Sequence, residues 1–551
     1  MDRRAFLTAQ RKKRKVELPA AGARTQSGLN VYSGAWTRNE VQHLLKRTMF
    51  GSTRADLLHF TSLSMNQAVD ELLTPVAALP DPPLNDYSSE MGDPNVPAGT
   101  TWVNDLTADE DLNDARRESF KKWWTGVMLS QDRSIREKLT LFWADHFGTE
   151  TNTINISKFV YQHNDLLRRD CLGNFRTLVK DVTIDPGMLI YLNGYLNSAS
   201  APDENYGREL MELFTLGKGP SVVYNEEDVR RVARVLTGWR INPADGTVYF
   251  DPANHDTGNK TFSAYFNATI LTGRTGADGA LETDDLIDML FAKEETSKYI
   301  CRCIYRWFVY YEIDEAAETN VIEPLAAVFR TSGYDIHAVL DTLLRSEHFF
   351  DTLNQGCLIK SPVDHVIGCM REFGVVIPPV ATEYEDTYMM WSYLRNWETS
   401  MGQNIGDPPD VSGWPAYYQE PSFHELWINH DTLPKRNQFT DIMLWNGFTR
   451  NMKTLQIDTI AFTKTLPNPG DPNALVEDAL SVIYRVPLSD AAKLSIKQNI
   501  LLSGQTQDYY WTNAWNGYLV DESNETATAI ISNRLKTLYQ YLMNLSEYQL
   551  S

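Results

Sequence analysis

From residue 36 onward, apolar residues recur at intervals of three and four, the spacing that lines one face of an α-helix. Thr37-x-x-Glu40, Ser64-x-x-Gln67 and Ser134-x-x-Glu137 each set a hydroxyl three residues ahead of Glu or Gln. The apolar stripe that follows makes each the mark of a capping box at a helix start. Val41, Leu44 and Leu45 supply the stripe of the first; Leu139, Leu141, Phe142 and Phe147 supply that of the third. Further helical patterns cover about 112–130, 156–171, 203–217, 225–239, 282–312, 317–331, 334–349, 361–374, 436–450, 473–503 and 524–548. Alternating runs are scarce. Val248-Tyr249-Phe250 and Lys260-Thr261-Phe262 flank an Asn/Asp/Gly-rich loop and predict a small hairpin or ribbon. The fold expected is all-α, a large irregular multi-helix assembly with a minor β ribbon near 247–262.

Two segments break the pattern. Residues 74–100 carry Pro75, Pro80, Pro82, Pro83, Pro94 and Pro97, too many for regular structure. Residues 402–422 are rich in Gly, Pro, Asp and aromatic residues, and long ordered loops of this kind are functional or act as plugs. No repeat period emerges, so a solenoid is not supported. The expected organisation is a basic arm over 1–30, a main helical domain over 31–435 and a C-terminal helical region over 436–551 packed on it.

Charge changes this picture at one end. The chain has 551 residues and a formal charge of −21. Its first 24 residues hold eight basic and two acidic side chains, leaving −27 on the rest. A body so acidic repels polyphosphate, which argues against a nucleic-acid partner. No stretch offers the ~20 consecutive apolar residues of a membrane span. Arg3-Arg4-Ala5-Phe6-Leu7 looks like the start of a twin-arginine export signal, but Arg11-Lys12-Lys13-Arg14-Lys15 stands where an apolar stretch would be needed. The expectation is a disordered basic arm, dispensable for folding, on a cytoplasmic protein or on one exported alongside a partner. The five cysteines form no disulfide framework, and Cys301 and Cys303, two apart on a helix, point away from each other.

Candidate chemistry is densest in Asp203-Glu204-Asn205-Tyr206-Gly207-Arg208-Glu209-Leu210-Met211-Glu212. On a helix Glu209 and Glu212 share a face, while Glu204, Arg208 and Glu212 make a ladder. Two carboxylates beside an arginine suit acid–base or metal chemistry; the plain alternative is an ion-pair row between helices. His146 closes the aromatic run Phe142-Trp143-Ala144-Asp145-His146-Phe147, where a catalytic imidazole and a hydrogen-bonded core histidine are both open. His255 and Asp256, in a Gly/Asn loop, could ligate a divalent metal or orient one another; a turn held by Asx hydrogen bonds is the alternative. Asp256-Thr257-Gly258 imitates an aspartic-protease triplet, but a single copy outside a strand-rich context excludes it. Trp414 in its Pro-flanked loop, with Asn205, is the candidate substrate contact; a hydrophobic plug is the competing role for Trp414. Nucleophile-elbow, phosphate-loop and His-Glu-x-x-His signatures are absent.

Several ordered blocks carry a family resemblance. They are His43-Leu44-Leu45-Lys46-Arg47-Thr48-Met49-Phe50-Gly51, Arg136 through Phe147, Gly173-Asn174-Phe175, Asp185-Pro186-Gly187-Met188-Leu189 and Glu204 through Gly217. Glu227-Asp228-Val229, Leu236-Thr237-Gly238-Trp239, His255-Asp256 with Lys260, and Pro408-Pro409-Asp410-Val411-Ser412-Gly413-Trp414-Pro415 follow in order. Over about residues 38–440, and more weakly at Glu547-Tyr548-Gln549-Leu550, the chain resembles the bacterial family called domain of unknown function 1800. The resemblance implies no assigned reaction. It does imply frequent export and a neighbouring gene for a sulfatase- or phosphatase-like hydrolase. The chain departs from the family pattern at Asp203 and Gly207, where many relatives read Asn-Glu-Asn-Tyr-Ala. Two functions follow as expectations. One is an acid–base or metal-assisted hydrolase of a glycan-type substrate, built from Glu209, Glu212, His146, Arg208, His255 and Asp256. The other is a non-catalytic helical partner or carrier of the sulfatase-like hydrolase, in a salt-sensitive complex that uses residues 1–24.

Overall fold

A computed structural model describes residues 24–551, and the arm expected over 1–30 lies outside it except for its last seven residues. Those residues are held against the helical body. The Arg24 amide donates to Asp314 Oδ2 (2.8 Å), Ser27 Oγ donates to Asp351 Oδ2 (2.9 Å), and the Arg24 guanidinium lies 3.4 Å from the Tyr310 ring centre.

The described chain is mainly helical, as the apolar periodicity requires, with three two-stranded ribbons. The capping boxes at Thr37 and Ser64 form as expected. The one at Ser134 does not. Its helix, Arg136–His146, is entered through Ile135, because Glu137 accepts from Arg168 Nε and Nη2 (2.8 and 3.0 Å) across the interior instead of turning back. The helical stretch Val380–Ser400, kinked at Glu383, is not among the helices the periodicity predicts. Its buried face is Tyr388, Met390, Trp391 and Leu394, an aromatic stripe that the aliphatic period does not reveal.

A β ribbon is present near 247–262, but its pairing differs from the expected hairpin. Strand β1 (Trp239–Ile241) pairs antiparallel with β2 (Val248–Phe250), and β3 (Lys260–Thr261) pairs with β4 (Ile270–Leu271). Residues 248–250 and 260–262 therefore belong to different ribbons. Between them His255 is buried and fixes the loop, its Nδ1 on the Thr237 carbonyl oxygen (2.9 Å) and its Nε2 on Glu282 Oε1 (3.0 Å). The third ribbon joins β5 (Phe448–Arg450) to β6 (Lys453–Leu455).

One contiguous apolar core runs from Val41 to Tyr548. Residues after 436 pack into it. Lys46 Nζ donates to the Ile483 carbonyl (3.1 Å), Arg485 Nη1 to Gln42 Oε1 (2.7 Å) and Arg436 Nε to Gln549 Oε1 (2.7 Å). Both irregular segments are pinned by buried cations. Arg116, fully buried in the Glu110–Leu129 helix, pairs with Asp93 (2.7 Å) and Asp105 (2.8 Å) and so holds the proline-rich stretch. Lys121, on the same helix, pairs with Asp407 (2.7 Å) of the 402–422 loop.

Candidate functional site

The Glu204–Gly217 segment is not a uniform helix. Asn205–Glu209 is α-helical, and Leu210–Thr215 continues as a π-turn in which the Leu216 amide donates to the Met211 carbonyl five residues back (3.0 Å). Such insertions concentrate at functional sites because they re-aim the side chains of one turn. Gly207 packs on the Glu226–Val235 helix, where an added Cβ would lie 3.0 Å from Val232 Cγ1. The departure from alanine at this position therefore sits at a tight helix–helix contact.

Glu212 pairs with Lys218 (2.6 Å) and with Arg208 (3.6 Å). Arg208 also reaches Glu204 (3.2 Å) and Glu226 (2.7 Å), so the ladder exists and extends to the next helix. The Glu226 contact, more than any other, raises the Arg208 pKa. Glu209 belongs to no hydrogen bond or ion pair of this network. Burial, then the charge of Glu212, raises its pKa above the ordinary carboxylate value, only partly offset by Lys218 and Arg208. Two neighbouring carboxyl groups therefore sit in unlike surroundings, one ion-paired and one desolvated.

The 402–422 loop completes the site. Asp145 in the Arg136–His146 helix accepts the Trp414 amide (2.8 Å), and an added Cβ at Gly413 would fall 2.3 Å from Asp145 Oδ1. Only glycine, at φ 84°, lets the loop come this close. The contact leaves Asp410 exposed, with Tyr418 Oη donating to its Oδ2 (3.3 Å). The negative charge of Asp410 is felt at Glu209, at buried Asp145 and at Tyr191. Tyr191 in turn donates to Glu150 Oε1 (3.5 Å) and is influenced by Glu209. Glu209 and Glu212 both raise Tyr224. Carboxylates and phenols from five chain segments thus share one electrostatic neighbourhood. Asp410, Glu150, Tyr191 and Tyr224 were missed as site residues; only Asp410 had a signal, the Pro408–Pro415 block.

The remaining candidates lie elsewhere or hold structure. His146 Nε2 donates to the Phe214 carbonyl (3.1 Å) at the end of the π-turn, with Phe142, Trp143 and Phe147 around it. Burial brings its pKa down to about 4, so the neutral ring supports the turn from beneath. Asn205 is exposed at the start of this helix, its amide on Asp203 Oδ1 (2.8 Å). Trp414 is buried in the core as a plug under the loop. His255 and Asp256 do not converge on a common point. His255 meets Glu282, which also holds buried Lys260 (2.5 Å), whereas Asp256 accepts from Arg234 Nε (2.6 Å) and the Gly258 amide (2.9 Å). Among the described residues, no group of three or more His, Cys, Asp or Glu side chains is placed to hold a metal ion. The five cysteines are free thiols. A groove of about 980 Å³ lies elsewhere, between residues 76–84 and 377–391. It is mainly apolar, and Glu137 on its wall is committed to Arg168.

Helical architecture and sequence together define the class: the chain belongs to the family described as protein of unknown function (DUF1800), whose model matches residues 43–550. The match runs through the C-terminal region, between residue 440 and the weaker block at 547–550. Comparison with curated proteins gave no match, and comparison with solved structures gave none. No helix among the described residues is long and apolar enough to cross a membrane.

Proposed function

We propose that the protein is a hydrolase of glycan-type substrates that works by acid–base chemistry at Glu209 and Glu212. The observation that carries this reading is the unlike pair: Glu209 desolvated, without a hydrogen-bond partner and raised in pKa, beside Glu212 ion-paired to Lys218 and Arg208. Carboxyl groups pushed apart in this way divide naturally into proton donor and proton acceptor. The Glu209 carboxylic acid donates its proton to the departing glycosidic oxygen as the C–O bond breaks. The Glu212 carboxylate takes a proton from the water whose oxygen bonds to the anomeric carbon. Tyr191, Tyr224 and Tyr418 offer ring faces and hydroxyls suited to a saccharide. His146 acts through the π-turn as a positioning residue. A metal-assisted version finds no support at His255 and Asp256, whose polar atoms are engaged with Glu282, Thr237 and Arg234.

Release of reducing ends from a panel of polysaccharides by the purified chain tests the reading. Glu209→Gln and Glu212→Gln should each lower the rate by about 10²–10⁴-fold, the usual worth of a positioned acid or base, with melting unchanged. Release by both variants at the wild-type rate would remove the proposed site. No release by the wild type from any polysaccharide would favour the second role, a helical partner or carrier of a sulfatase-like hydrolase.

A further inference from the structure

Away from the carboxylates, a partly open cavity of about 40 Å³ lies between the Arg38–Thr48, Arg136–His146 and Glu294–Phe308 helices and the 415–427 turns. Since one water needs ~10–15 Å³ on this scale, the space suits one small polyatomic ion. Its charged wall is formed by Lys46, Arg47, Lys138, Arg306 and Asp364. Two of these cations are neutralised: Lys46 by Glu372 (2.7 Å) and Lys138 by Asp364. Arg47 and Arg306 make no ion pair, although the charge of Asp364 also acts on Arg47. Arg47 is 3% exposed, yet its Nη2 meets only the Asn354 carbonyl (3.1 Å) and Cys357 Sγ (3.3 Å), and its Nε has no partner. Arg306 Nε meets the Tyr311 carbonyl (3.3 Å), and no carboxylate of the described residues pairs with it. Ser551 is on the wall as well, but makes no ion pair with these cations.

His424 adds a directed donor. Its Nδ1 accepts the Ile359 amide (3.1 Å), which puts the ring proton on Nε2, and Nε2 is buried without a partner. The preceding residue, Phe423, has φ +43°, an unfavourable backbone for a bulky side chain of the kind that persists at ligand clamps. A buried guanidinium with no ion-pair partner is costly, and its planar fork matches a tetrahedral oxyanion in two places. Trp307, Phe423 and Trp427 add apolar wall, and the small volume favours an ion without an organic substituent.

We propose that this cavity binds a free inorganic oxyanion, phosphate or sulfate, held by Arg47, Arg306 and the imidazole N–H of His424. The test is thermal melting of the full chain in sodium phosphate and, separately, sodium sulfate, against sodium chloride at matched ionic strength, with titration calorimetry of each anion. The expected result is a saturable rise in melting temperature with one or both anions and an affinity weakened at least about tenfold by Arg306→Gln, a partly exposed position that should fold. His424→Phe, which keeps the packing, should weaken it too, and Arg47→Gln abolish it. A rise that is linear in salt and equal in wild type and variants would reflect exclusion of the anion from the surface and overturn the site. So would the absence of any heat or shift.

Discussion

Glu398 shows what a single buried carboxyl does to this molecule. It is fully buried, and burial pushes its pKa up to about 8, only partly offset by Arg395 and the Thr125 hydroxyl. The folded state therefore holds a proton that the unfolded chain releases near its ordinary value of 4.5. That contribution to stability is complete below the unfolded pKa and is lost as pH rises through about 8. From this group alone, stability should fall by roughly 1 kcal/mol per pH unit in between. Glu398→Gln, which mimics the protonated form, should flatten the decline; chemical denaturation at pH 5 and pH 8 measures it. Trp414 poses the packing counterpart. Truncation to alanine should cost about 3–5 kcal/mol and free the 402–422 loop, detectable as a lower urea midpoint and new protease cleavage near Asp410.

Among the elements, the loop joining the first two ribbons depends on one buried ionic cluster. Glu282 accepts from His255, Lys260 and the Arg274 amide (2.6 Å) with no exposed surface. Glu282→Ala strands the Lys260 ammonium in the interior and should cost about 3–5 kcal/mol. Adding Lys260→Met removes the stranded charge and should recover much of that loss, a coupling that a double-mutant cycle in urea reads directly. The same cluster shows what the sequence could not reveal. Residues 248–250 were recognisable as a strand, but their partner, Trp239–Ile241, lies where a helical pattern ends, and the loop after them is fixed by His255 reaching Glu282 across 27 positions. The Thr37 and Ser64 boxes were legible because every bond in them is local. The Ser134 box was not, since a distant arginine took its glutamate. Glu209 and Glu212 could be picked out by spacing, whereas the π-turn beneath them and the approach of Asp410 depend on tertiary contacts such as Asp145 to Trp414.

For the molecule as a whole, a core continuous from Val41 to Tyr548 predicts one cooperative unit. Calorimetry should show a single endotherm. A chain cut after residue 435 should fail to fold, because it loses Arg436, Ile483 and Arg485, which close the first helix and the C-terminal seam. Two resolved endotherms, or a stable 1–435 fragment, would make the C-terminal region a separate domain. The body is strongly acidic, yet the proposed reaction uses one carboxyl, Glu209, whose surroundings raise its pKa. The pH dependence of kcat/KM for reducing-end release examines it directly. The proton donor must be charged with its proton, so activity should persist above the ordinary carboxylate range and fall as pH rises through the raised pKa of Glu209. Glu209→Gln should abolish that alkaline limb together with the activity. A wild-type profile that falls at the ordinary glutamate value, or an alkaline limb retained in Glu209→Gln, would contradict the assignment of Glu209 as the acid.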